Sequence, residues 1–129
     1  AANSAAPWIL ILRSSCMMPF YRANVPLASL RRTMTAIMYG RMITRACLII
    51  IGNEILSGRT QDKNLAFIAV ELNKIGIRLM EVRVIPDIEA TIIATVNTCR
   101  EQFDYVLTTG GIGPTHDDIT SASIAKAFG

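Results

Sequence analysis

Three observations predict an α/β fold with a mainly parallel sheet for residues 43–129. Three apolar runs recur along that stretch, each is followed by a segment of helical period, and glycine or proline marks most of the junctions. Strand, helix, strand, helix, strand, helix is the order of right-handed parallel crossovers, with helices covering both sheet faces or alternating between them.

Residues 46–51, Ala-Cys-Leu-Ile-Ile-Ile, form a continuous apolar run that suits a strand buried on both faces and that stops at Gly52. A first loop then runs from Gly52 to Gln61. From Asp62 onward Leu65, Ile68, Ala69, Leu72 and Ile75 recur at helical spacing, with Asp62 suited to cap the helix and Gly76 placed to terminate it. Residues 77–85 alternate as a second strand, and Pro86-Asp87 ends it. Asp87 can also cap the next helix, which places Ile88, Ile92, Val96 and Cys99 on one face. Residues 104–109 form the third strand, followed by a glycine loop and by Thr120, a good N-cap for a helix turning Ile124, Ala125 and Phe128 inward.

Residues 1–42 differ from this. They hold no sustained period and are broken by Pro7, Pro19 and Pro26, so a non-globular leader is expected. Trp8-Ile9-Leu10-Ile11-Leu12 is too short to span a bilayer, and no small-residue cleavage site follows it. Three readings fit the segment: read-through upstream of a start at Met38 or Met42, an Arg- and Ser-containing organelle targeting segment, or an accessory segment. The chain ends just after the first turns of the third long helix, and a domain incomplete at its C-terminus is expected.

The formal net charge of +3 conceals an asymmetry. All six basic residues before position 46 stand without an acid among them, whereas the rest carries seven basic and ten acidic residues, a net −3. Basicity therefore belongs to the leader, and neither nucleic acid nor a membrane is an expected partner of the body. Cys16, Cys47 and Cys99 form no C-x-x-C pair, which argues against a disulfide framework or a zinc site; Cys47 and Cys99 fit buried thiols. A single histidine, His116, leaves a His-rich metal centre or a Ser/His/Asp triad without partners. The expected compartment is the cytoplasm, with organelle targeting as the other reading of the leader.

Chemistry concentrates in residues 108–120, Thr-Thr-Gly-Gly-Ile-Gly-Pro-Thr-His-Asp-Asp-Ile-Thr. Gly110, Gly111 and Gly113 free the backbone for positive φ and close ligand approach beside the positive end of a helix dipole, which favours phosphate. The order is neither the dinucleotide fingerprint nor a P-loop. Asp117 and Asp118 would repel a bare phosphate, so they serve a bridging divalent cation or accept hydrogen bonds from an organic ring or ribose. Loops at the carboxyl ends of strands gather ligands in such sheets. The three here carry Asn53, Glu54, Ser57 and Thr60, then Asp87, then Thr115, Asp117 and Asp118.

Residues 51–64, Ile-Gly-Asn-Glu-Ile-Leu-Ser-Gly-Arg-Thr-Gln-Asp-Lys-Asn, together with Val84-Ile85-Pro86-Asp87 and residues 108–120, resemble the MoaB/Mog molybdopterin-binding domain, most closely its CinA-type branch and the matching domain of FAD synthases. The resemblance covers residues 45–129. It implies a three-layer α/β/α sandwich, often a homotrimer, that binds molybdopterin or an adenylylated relative. It also implies that two aspartates handling the cofactor fall on Asp87 and Asp118. CinA-type and FAD-synthase members imply metal-dependent cleavage of dinucleotide pyrophosphates. One departure is Gly52-Asn53-Glu54, where the family usually has Gly-Asp-Glu, which removes a hard ligand from the first loop.

Three functions follow as expectations. The first is binding of molybdopterin in molybdenum cofactor biosynthesis, with the glycine amides on phosphate, Thr115, Glu54 and Ser57 lining the site, and Asp87 and Asp118 on the pterin ring or a cation. The second is a pyrophosphatase acting on FAD-like or ADP-ribose-like nucleotides, with Asp117, Asp118 and Glu54 holding magnesium or cobalt. The third is a non-catalytic oligomerising domain. Arg59 and Lys63 are the nearby cations for phosphate, and both also fit ordinary surface charges.

Overall fold

A computed structural model of the protein describes residues 10–13, 43–111 and 119–129. Its elements are β1 (Leu10–Arg13), β2 (Thr44–Ile51), α1 (Asn53–Leu56), α2 (Asn64–Lys74), β3 (Ile77–Ile85), α3 (Glu89–Gln102), β4 (Tyr105–Thr109) and α4 (Thr120–Phe128). The sheet order is β1-β4-β2-β3. Strand β2 pairs parallel with both β3 and β4, as the alternation of strands and helices predicts. Strand β1 lies antiparallel on β4, with Leu10 opposite Thr108 and Arg13 opposite Tyr105. That strand comes from the segment read as non-globular, whose proline-broken pattern carries no period to announce it.

The central strand is apolar on both faces because both are covered. Cys47, Ile49 and Ile51 face α3 and α4 and pack with Ile92, Val96, Cys99, Val106 and Ile124. Ala46, Leu48 and Ile50 face the other way and pack with Ile68 and Leu72 of α2 and with Ile77, Tyr105 and Leu107. Helices on both sides of one sheet make the three-layer α/β sandwich, and burial of each large aliphatic side chain contributes about 1.5–3 kcal/mol. A register shift after Ala46, where Met80 is passed over, is a bulge between β2 and β3.

Helix ends follow the sequence signals closely at α2. Lys63 holds the N-cap position, and Asp62 just before it accepts through Oδ1 from the Leu65 N–H at 2.7 Å, so its carboxylate serves the first turn as expected from one position further out. Gly76 terminates the helix at φ 79°, with its N–H donating to Asn73 O at 3.1 Å.

Two helical faces differ from expectation. Ile88 precedes the first turn of α3 in an extended conformation and is 52 % exposed, so only Ile92, Val96 and Cys99 form the buried stripe. Helix α4 buries Thr120, Ser123, Ile124 and Ala127, because it begins at Thr120 itself and that residue sets the inward phase. Ala125 is exposed, and Phe128 lies outside the core beneath the Arg100 guanidinium, 4.7 Å from ring centroid to charge. Lys126 of α4 also pairs with Glu89 of α3 at 2.7 Å.

Cys47 on β2 and Cys99 on α3 are free, fully buried thiols whose sulfurs lie 3.5 Å apart, with Cys47 donating to Cys99. Burial pushes both thiols above their ordinary value, so they are neutral, small apolar groups as their apolar context predicts. Among the described residues, no helix is long and apolar enough to cross a membrane.

Candidate functional site

The carboxyl ends of β2, β3 and β4 lie side by side, with Ile51 opposite Ile85 and Ile50 opposite Thr109. The Gly52 N–H donates to Ile85 O at 3.1 Å, which ties the first turn to the end of β3. This is the rim at which open parallel sheets collect ligands.

The first turn is not a plain loop as expected. It contains the short helix α1, and its polar groups are exposed. The Glu54 carboxylate curls back so that a Cβ added at Gly52 would sit 2.5 Å from its Oε1. Ser57 Oγ donates to Glu54 O at 3.2 Å and accepts from Arg59 Nε at 3.1 Å. Glu54, Ser57 and Arg59 therefore form a local cluster on the solvent side, and Asn53 is exposed at its edge.

The third turn is built differently. Gly110 has φ +89° and presses against β2, where a Cβ would fall 2.0 Å from Ile51 O. Gly111 has φ +60°, and a Cβ there would fall 2.3 Å from Thr120 Oγ1 and 3.8 Å from Asp87 Oδ1. Both positions demand glycine on two counts, left-handed backbone and close approach. One point beside Gly111 thus sees the second turn through Asp87, the third turn through its own backbone, and the start of α4 through Thr120.

Of the residues singled out in the sequence, the structure brings Asp87, Gly110 and Gly111 together and places Glu54 and Ser57 on the exposed first turn. Gly113, Thr115, Asp117 and Asp118 lie outside the described residues, as does His116. Among the described residues, no group of three His, Cys, Asp or Glu side chains is arranged to hold a metal ion.

Three threonine hydroxyls were given no role in the site by the sequence, where Thr120 entered only as a helix cap. Thr108, Thr109 and Thr120 are at most 1 % exposed, and the oxygen of each is buried with no hydrogen-bond partner among the described residues. Thr120 is the first residue of α4 rather than its cap, and Ile119 holds the cap position. A buried hydroxyl left unmade costs about 1–3 kcal/mol. The available signal was composition: two threonines end an otherwise apolar strand directly before the glycines.

Residues 47–129 match the family described as "Probable molybdopterin binding domain". Over 83 residues the chain is 42 % identical to a probable FAD synthase of Caenorhabditis elegans, which spans 64 % of this chain and 16 % of that protein. It is 43 % identical over 83 residues to a CinA-like protein of Amoebophilus asiaticus, covering 64 % of this chain and 20 % of the relative. The chain thus spans only about a fifth or less of these curated relatives. Among solved structures, CinA of Thermoplasma acidophilum, a protein of unknown function, superposes with a TM-score of 0.63 at 37 % identity, covering 67 % of this chain and 51 % of that one. MoaB of Pyrococcus furiosus, a tungsten cofactor synthesizing protein, gives 0.58 at 25 % identity over 67 % and 54 % of the two chains.

Proposed function

We propose, from the premise that this chain belongs to the probable molybdopterin binding domain family, that its strand-end rim binds a phosphorylated pterin of the molybdopterin class. One observation carries the reading: Gly111, held in a left-handed turn, faces both the Asp87 carboxylate and the Thr120 hydroxyl. Such a rim suits a ligand with a phosphate at one end and a hydrogen-bonding ring at the other. Amides of the glycine turn suit the phosphate, and a carboxylate suits the N–H groups of a pterin. The neighbour that synthesises tungsten cofactor supports the same ligand class.

In this proposal Gly110, Gly111 and Gly113 hold the phosphate, Asp87 and Asp118 accept from the ring or position a cation, and Thr115 and Asp117 complete the pocket. Glu54 and Ser57 lie on the exposed first turn and would reach the ligand from its edge. The domain is proposed to act as a homo-oligomer.

Identity to probable FAD synthases favours a second reading, metal-dependent cleavage of a dinucleotide pyrophosphate. Asp117, Asp118 and Glu54 would then hold magnesium or cobalt. The ion would polarise the bridging phosphate and lower the pKa of an attacking water. Asn53 in place of an acid leaves the first turn with one hard ligand fewer, which weighs toward binding over hydrolysis.

Thermal unfolding with and without molybdopterin tests the first reading. Stabilisation of the wild type, lost in Asp87→Ala and Asp118→Ala, is the expected result. Release of nucleoside monophosphate from FAD or ADP-ribose with magnesium or cobalt, without stabilisation by molybdopterin, would establish the second reading instead. If neither ligand acts, the domain is structural.

A further inference from the structure

We infer that Thr120 is a ligand-contact residue whose hydroxyl bonds a phosphoryl oxygen seated on the Gly110–Gly111 turn; this deepens the binding reading above and rests on it for the phosphoryl class of the ligand.

Two independent observations meet at this residue. Thr120 opens α4, a nine-residue helix whose N-terminus lies against the glycine turn, and the first N–H groups of any helix favour an anion. Its hydroxyl is fully buried, has no hydrogen-bond partner among the described residues, and is the atom nearest to where a Cβ on Gly111 would fall. The glycines in front of it are partly exposed, so the turn itself is open to a ligand.

A valine would fill the same volume without the unmade bond. Replacing an unpartnered buried hydroxyl by a methyl group is neutral or stabilising, whereas replacing one that bonds inside the protein is destabilising. Thr120 is therefore a residue at which the ligand-free protein gains nothing from the oxygen and the complex does. Ser123, on the same buried face, is the contrast: its hydroxyl donates to Ile119 O at 2.7 Å and is satisfied within the helix.

The test compares Thr120→Val and Thr120→Ser with the wild-type full chain, using inorganic pyrophosphate as the phosphoryl probe and molybdopterin as the pterin probe. The expected result is a Tm for ligand-free T120V equal to or above wild type, a Kd for pyrophosphate raised roughly tenfold or more, and near wild-type binding in T120S. A fall in the ligand-free stability of T120V overturns the inference, because the hydroxyl is then structural. So does unchanged pyrophosphate affinity in T120V, or a wild type that pyrophosphate does not stabilise. Stabilisation by pyrophosphate but not by molybdopterin overturns the pterin reading and leaves the role of Thr120 upheld.

Discussion

The first and third turns of this domain leave the same sheet edge in the same direction, yet they treat their polar groups in opposite ways. Ser57 and Arg59 bond to each other and to the local backbone at the surface, whereas Thr109 and Thr120 are buried with no hydrogen-bond partner for their hydroxyls among the described residues. Satisfied and exposed groups describe a turn that completes itself. Unsatisfied and buried groups at the two ends of the third turn are what the proposed ligand would complete. The contrast separates the two regions more sharply than their composition, since both are rich in glycine and small polar residues.

The contrast breaks most readily at Gly110. Gly110→Ala places a methyl group 2.0 Å from the Ile51 carbonyl oxygen at φ +89°, and backbone cannot yield as a side chain can. A loss of about 3 kcal/mol or more, or failure to fold, is expected in urea unfolding. A smaller effect, about 1–3 kcal/mol, is expected for Gly111→Ala, whose methyl meets the Thr120 side chain. Because that obstacle is a hydroxyl, Thr120→Ala should recover part of the loss, and a double-mutant cycle should show the coupling. In the first turn, Gly58→Ala carries the same left-handed backbone at φ +73° but meets nothing within 4 Å. Its cost should be the conformational one alone, about 1–2 kcal/mol. Smallest of all is Ser57→Ala, expected to change stability by less than about 0.5 kcal/mol, since its partners are solvent-exposed.

Much of the fold was legible because period and burial agree. Residues 46–51 are uniformly apolar and lie between two helix layers; residues 77–85 form β3 with the predicted boundaries; Asp62 and Gly76 bound α2 as their chemistry requires. Errors fell where one residue sets a phase. Beginning α4 at Thr120 turns Ala127 inward and leaves Ala125 and Phe128 outside, a shift that no pattern over nine residues fixes. Of the candidate site, a glycine string beside acids could be read from the sequence; Asp87 lies near Gly111, and the acids of the string fall outside the described residues. What could not be read was the state of Thr109 and Thr120, because threonine ends strands and opens helices for ordinary reasons and only packing shows whether its hydroxyl is answered.

The adjoining sulfurs of Cys47 and Cys99 make the interior a clock for its own opening. Neutral and shielded, they cannot meet an alkylating reagent until β2 and α3 part, so the labelling rate at neutral pH measures how often that layer separates. The same shielding ties the domain to alkali: unfolded thiols ionise near their ordinary value of 9.0 while the folded pair resists. Stability is therefore full below that pH and drains away as pH climbs above it, and the clock should quicken in step.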